Sequence, residues 1–330
     1  MTIKRFHYTQ RALFALMALF YCLLIAFRPL PNIYDDNDTG RYVEAFHEYC
    51  NGSEFIASEG REISYNLFYW VTSPPCLVGS ERLFLLEVAL FVPLIFLLFV
   101  KWREGICLWA YSLIFSVAGL EMMINAFRQS FATLLFFFAI AMVKRHNFLA
   151  LILTAIAAFA HSVAFIYSPL LIWMILRYLS TKTLLFSGLI FLILSAIFYK
   201  SIEVYIEWFI DSLLNQLVFY EQVLNPSFIA LISLPIFFVY GIRHFRIKED
   251  ALIEEKTTFL YSVAILLISY IYFPAILYRL AIFGVAIQIF LAARSDQQDI
   301  ISGRLVLFSS LAQLTVMFIY SNNYRYLFYG

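Results

Sequence analysis

Long apolar runs separated by short polar breaks dominate the chain. A helix needs about 20 apolar residues to cross a hydrocarbon core of roughly 30 Å. On that measure the pattern predicts eleven helices, near residues 12–30, 83–100, 105–124, 129–143, 148–160, 163–176, 183–199, 227–242, 257–274, 280–293 and 305–321. The first follows "MTIKRFHYTQR" and is read as an uncleaved anchor, because "FRPLPN" offers no small-residue cleavage site. Two polar stretches interrupt the series, residues 31–82 and 200–226. Some runs are short. Residues 148–176 lie between two basic loops, and two full crossings would take about 40 residues. The pattern there predicts a helix pair whose turn, at "AHSVA", stops below the far surface.

Composition places this pattern in a membrane. Hydrophobic residues make up 63% and charged residues 14%, against about 25% charged in a soluble domain. The expected fold class is therefore all-α, a single polytopic transmembrane domain over residues 1–330. The formal net charge is +1, which gives no field to attract nucleic acid.

Lys and Arg set the orientation. With the N-terminus inside, the inner loops read "KWREG", "KRHN", "RYLSTK", "RHFRIKEDALIEEK" and "RSDQQDIISGR". Of the 23 Lys and Arg residues, only Arg28, Arg41, Arg61, Arg82, Arg128, Lys200, Arg279 and Arg325 then lie outside, and the C-terminus is external. In the outer segment 200–226, Glu203, Glu207 and Asp211 make one acidic stripe opposite an apolar face, which reads as an interfacial amphipathic helix.

Against this background three polar residues stand at outer turns within apolar sequence: Arg128, His161 and Arg279. A charge at membrane depth costs about 2.5–3.5 kcal/mol on insertion scales, and such residues usually face a polar cavity. The short hairpins around them would form an outward recess. If residues 121–129 are helical, Glu121, Asn125, Arg128 and Gln129 share one face. Arginine matches phosphate oxygens with a planar fork. Candidate carboxylates for proton transfer are Asp35, Asp38 and Glu62 in the first outer loop, and Glu121. Asp36-Asn37-Asp38 has the spacing of a metal site, but on an outward loop it reads better as a turn or helix cap, and no metal or other cofactor is expected. "EISYNLFYWVTS" is an aromatic stretch that either stacks on sugars or anchors at the interface. Cys50 and Cys76 share the first outer loop, where an oxidising exterior would permit pairing.

"NAFRQSFATLLFFFAIAMVKRHNFLALILTAIAAFAHSVAFIYSPLL" resembles the shared pattern of EpsG-like and Wzy-type polysaccharide polymerases. The matching positions are Asn125, Arg128, Gln129, His161, Ser162 and Pro169. "DTGRY" resembles the family's first-loop motif through Asp38 and Tyr42; "YRLAIF", with Tyr278 and Arg279, and "NNYRYLF", with Arg325, resemble its late arginines. The tail departs from the family's more usual Pro-Tyr-Arg.

The resemblance implies a glycosyltransferase of the GT-C kind in a bacterial cytoplasmic (inner) membrane. It would polymerise oligosaccharide repeat units carried on undecaprenyl diphosphate, for O-antigen, capsule or exopolysaccharide. Arg128, His161, Arg279, Asp38 and Glu121 would be catalytic, and Asn125, Gln129, Tyr42, Glu62, Tyr278 and Arg325 would bind substrate. Its partners would be the lipid-linked donor and acceptor, membrane lipids, a chain-length regulator and a flippase. Two other readings share the features: an outer-leaflet single-sugar transferase or ligase, and a transporter of lipid-linked sugars. The last should carry an internal repeat with broken helices, and no convincing repeat is visible in the chain.

Overall fold

The computed structural model describes residues 2–28, 38–52, 62–100, 106–178, 235, 239–247, 253–272, 274–295 and 299–320. Among these residues every regular element is helical. The expected helix at 183–199 and the interfacial segment 200–226 lie outside the described residues, as does most of 227–242, although residues 239–246 are helical.

Helix α1, Thr2–Ala26, presents one buried stripe of Phe14, Ala18, Cys22 and Ile25. It leaves Leu16, Phe20 and Leu24 exposed, as suits a helix with lipid on one side. The stripe packs on α4, Glu81–Phe99, whose start is capped by the Ser80 hydroxyl accepting from the Leu83 N–H. Between them lie two helices of the first outer segment, α2 (Asp38–Cys50) and α3 (Glu62–Val71), and a short 3-10 helix at Pro74–Val78. A Cys50–Cys76 disulfide joins the end of α2 to that 3-10 helix. The aromatic stretch in α3 is partly core: Phe68 and Tyr69 are buried while Trp70 is exposed.

The single helix expected over 105–124 is two, α5 (Ile106–Ile114) and α6 (Val117–Ile124). The Ser116 hydroxyl caps α6 by accepting from the Gly119 N–H at 3.0 Å. Gly119 sits so close to the preceding turn that an added Cβ would lie 1.9 Å from the Leu113 carbonyl oxygen. Only glycine allows that approach. Helix α7, Phe127–Met142, follows α6 after a bend of 115°. Asn125 and Ala126 leave helical geometry there, and both N–H groups return to the Glu121 carbonyl at 2.9 and 2.8 Å. The pair α8 (Asn147–Ala160) and α9 (Ser162–Leu176) turns at His161. Then come α10 (Ile253–Tyr272), α11 (Pro274–Arg294) and α12 (Ile300–Tyr320).

Helix α11 is the core of the bundle. From Leu280 to Phe290 its apolar residues are fully buried on every face, packed by α5, α6, α7, α9 and α10. Four helical segments are long and apolar enough to cross a membrane (Thr9–Ala26, Glu81–Phe99, Ile276–Arg294 and Ile300–Met317), or five if the bent α6–α7 pair counts as one. This is a multi-pass membrane protein.

Contacts define the end of the bundle where α4, α7, α9 and α11 finish and α8, α10 and α12 begin. Phe99 packs on Phe138 with ring centroids 4.3 Å apart, and Arg294 donates to the Ile140 carbonyl at 2.7 Å. The Tyr178 hydroxyl donates to Glu254 at 2.8 Å, with Lys144 over its ring. Arg243 and Glu255 form a two-pronged pair at 2.6 and 2.9 Å, fully buried, with the guanidinium 5.5 Å from the Trp109 ring. Arg246 pairs with Asp299 near the surface.

Removing one partner of a buried pair strands the other charge and costs about 3–5 kcal/mol, whereas an exposed pair contributes about 0–1 kcal/mol. Glu255→Ala should therefore sharply lower the thermal unfolding temperature in detergent, and Arg246→Ala should barely move it. Equal small shifts would contradict the buried clamp.

Candidate active site

At the opposite end, helix N-termini converge. Helix α7 starts at Phe127, α9 at Ser162 and α11 at Pro274. The C-terminal ends of α6, α8 and α10 lie directly before these starts in the chain, so positive and negative helix poles alternate at this end. Arg128 stands in the first turn of α7, His161 is the residue joining α8 to α9, and Arg279 lies near the start of α11. The fields of both Arg279 and Arg128 reach His161. His161 is buried, and the two arginines are half-buried.

Neighbouring side chains fix this group. The Gln129 amide donates to the Arg279 carbonyl at 2.8 Å, tying α7 to α11. Its Oε1 is buried without a hydrogen-bond partner among the described residues, as is Asn125 Oδ1 in the bend. Arg128 Nε donates to the Tyr42 hydroxyl at 3.3 Å. The Tyr42 ring rests on Phe127 and Phe68, and its carbonyl accepts from the Tyr69 hydroxyl at 3.2 Å. Helices α2 and α3 thereby form one wall of the site. The Tyr167 hydroxyl donates to the Leu280 carbonyl at 3.3 Å, holding α9 to α11.

Five of the expected residues thus come together: Arg128, His161, Arg279, Gln129 and Tyr42. Tyr278 is half-buried beside Arg279, and Asn125 is in the bend. The expected polar stripe through Glu121, Asn125, Arg128 and Gln129 does not exist as one helical face. The 115° bend puts Glu121 in α6, where it is buried, and Arg128 and Gln129 in α7. The stripe assumed an unbroken helix. Asp38 is the first residue of α2 and Glu62 the first of α3. Arg325, Asp35 and Asp36 lie outside the described residues. No group of three or more His, Cys, Asp or Glu able to hold a metal ion occurs among the described residues.

Sequence reasoning missed Arg28. It lies at the end of α1 and is 4% exposed, not at the headgroups. Its guanidinium donates to the Ile25 carbonyl at 2.7 Å, the Ile124 carbonyl at 2.9 Å and the Thr39 hydroxyl at 3.3 Å. The Thr39 hydroxyl also donates to Ile124. Ile124 ends α6, so a cation sits on the negative pole of that half-helix. Arg82 adds donations to the carbonyls of Ala26 and Arg28, at 3.0 and 2.6 Å. The visible signal was an arginine closing an apolar helix just before a proline, which snorkelling explained equally well.

The model of the EpsG family matches residues 11–329. The chain belongs to the EpsG family. That family comprises Wzy-type polysaccharide polymerase-like proteins, and the match runs from within α1 through α12. No curated protein and no solved structure matches the chain. At the family level the EpsG assignment makes this a glycosyltransferase-like polymerase. Of the positions in the central stretch that resemble the EpsG-like pattern, Arg128, Gln129 and His161 lie together at this end.

Proposed function

We propose that this protein polymerises oligosaccharide repeat units carried on undecaprenyl diphosphate, at the outer leaflet of the cytoplasmic membrane. The observation that carries the reading is the meeting of Arg128 and Arg279 with His161 where helix N-termini converge. Two guanidiniums in a confined place suit a diphosphate, whose oxygens accept paired hydrogen bonds. Membership of the EpsG family supports the polymer chemistry.

In the reaction, the acceptor sugar's hydroxyl oxygen attacks the anomeric carbon of the growing chain. The bond from that carbon to the carrier diphosphate breaks, and undecaprenyl diphosphate leaves with the electron pair. Arg128 and Arg279 stabilise the charge that develops on it. The hydroxyl proton passes to a carboxylate, drawn from Asp38 and Glu121. Gln129 Oε1 and Asn125 Oδ1 are acceptors suited to sugar hydroxyls. Tyr42 and Tyr278 flank the two arginines.

We further propose eleven crossings of GT-C-like arrangement, with the N-terminus cytoplasmic and the site external. The opposed ends of the bundle support this: the site lies at one, and Lys144, Arg177 and Arg294 lie at the other. Cysteines placed singly at positions 144, 177 and 294 should react with an impermeant thiol reagent only after the membrane is opened, and one at position 47 should react in intact cells. Labelling of position 144 or 177 in intact cells would overturn the orientation.

Lysine keeps the charge of arginine but not its fork. Losing one charge-assisted hydrogen bond costs about 1.5–3 kcal/mol, so Arg128→Lys should slow polymer formation from defined lipid-linked repeats by at least about tenfold at matched protein level. Near-normal activity would show that Arg128 only anchors α7.

A further inference from the structure

Histidine 161 has two duties, and the first constrains the second. Its backbone ends α8, with N–H bonded to the Ala157 carbonyl at 3.1 Å. Its side chain starts α9, with Nδ1 accepting from the Val163 N–H at 3.2 Å. A backbone N–H can only donate, so Nδ1 must offer a lone pair. The neutral ring then carries its proton on Nε2. Adding a proton would place it on Nδ1 and break the cap of α9. It would also create a third positive charge beside two guanidiniums.

Resting on the diphosphate reading above, we propose that His161 works as a neutral hydrogen-bond donor through Nε2 to an anionic oxygen of the lipid diphosphate, and neither takes up nor releases a proton during turnover. The cap on α9 selects the tautomer. The cap keeps the ring proton on Nε2, which is therefore a donor before substrate arrives. It also leaves the handling of the acceptor proton to a carboxylate.

The surroundings agree from each packed element. Among the described residues, the charged groups near His161 are Arg279 of α11 and Arg128 of α7, both cationic. On α10, the Tyr261 hydroxyl is committed to the Ile166 carbonyl at 2.6 Å. On α3, the Tyr69 hydroxyl donates to the Tyr42 carbonyl. His161 itself is 8% exposed. A ring held this way is a fixed donor, since both of its nitrogens are assigned before substrate arrives.

Substitutions separate the roles. Glutamine places an amide N–H at about the reach of Nε2 but never titrates. Asparagine keeps a capping oxygen for α9 but is too short to reach the ligand. Alanine loses both. Rates of polymer formation would be measured in proteoliposomes with defined lipid-linked repeats, from about pH 5.5 to 8, where an ordinary histidine changes charge. His161→Ala and His161→Asn should fall roughly ten- to a hundredfold, the loss of a hydrogen bond to a charged group. His161→Gln should retain more activity than either, with a pH profile superimposable in shape on the wild type's. Should His161→Gln accumulate poorly, the residual rate of His161→Asn carries the same pH comparison. An ionisation in the wild-type profile that is missing from these variants would overturn the proposal. So would full activity of His161→Ala or His161→Asn, or a His161→Gln rate no better than alanine's. The two readings fail separately: full activity of an Arg128→Ala/Arg279→Ala double variant defeats the diphosphate site, whereas a histidine ionisation in the wild type defeats only the neutral donor.

Discussion

Inside a bilayer no water is available to a free backbone N–H or carbonyl, so a helix can break only where protein satisfies the broken end. That constraint organises this molecule. Helix α6 ends in the middle of apolar sequence, and its last carbonyl is taken up by Arg28 and Thr39. Helix α8 ends at His161, whose own ring caps the helix that follows. Each break is paid for by side chains that the surrounding helices hold in place. The breaks bring the starts of α7, α9 and α11 to one end of the bundle, where Arg128 and Arg279 stand. At His161 alone, the side chain that satisfies a broken end is also one of the proposed site residues.

The buried arginines divide by what they touch. Arg28 is consumed by carbonyls and a hydroxyl of the fold. Arg243 is consumed by Glu255 and by the Trp109 face. Both stitch helices at one end or the other of the bundle. Arg128 and Arg279 sit differently. They are only half-buried, their helices are tied together by Gln129, and both stand near the same histidine, whose helix Tyr167 ties to α11. The fold spends its best-buried guanidiniums on structure and keeps two at the convergence of helix N-termini.

Much of the fold was legible because apolar runs and polar breaks coincide with helix ends. The expected helices at 148–160 and 163–176 appear as Asn147–Ala160 and Ser162–Leu176. The expected 83–100 appears as Glu81–Phe99. The helix expected over 105–124 failed because its break lies within greasy sequence. It is decided by the close approach of Gly119 to Leu113, a tertiary fact with no periodicity of its own. Glu121 was assigned to the face of Arg128 because the 115° bend between α6 and α7 also lies within apolar sequence. Helices α2 and α3 were not anticipated because their mixed polarity masks a helical period. Arg128, His161 and Arg279 stood out in the sequence because a polar group in an apolar run is rare, and the fold brings them to one end of the bundle; Arg28 met the same criterion, and only its three acceptors reveal a structural role.

The account rests on a diphosphate seat made by Arg128, Arg279 and His161. Binding tests it without relying on turnover. Purified protein in detergent would be titrated with a polyprenyl diphosphate, the matching monophosphate and the free polyprenol, and the bound fraction read by native mass spectrometry. The account predicts tightest binding of the diphosphate and no preference among the three lipids once both Arg128 and Arg279 are alanine. Equal binding of polyprenol and diphosphate by the unaltered protein, or a diphosphate preference that survives the double substitution, would contradict it.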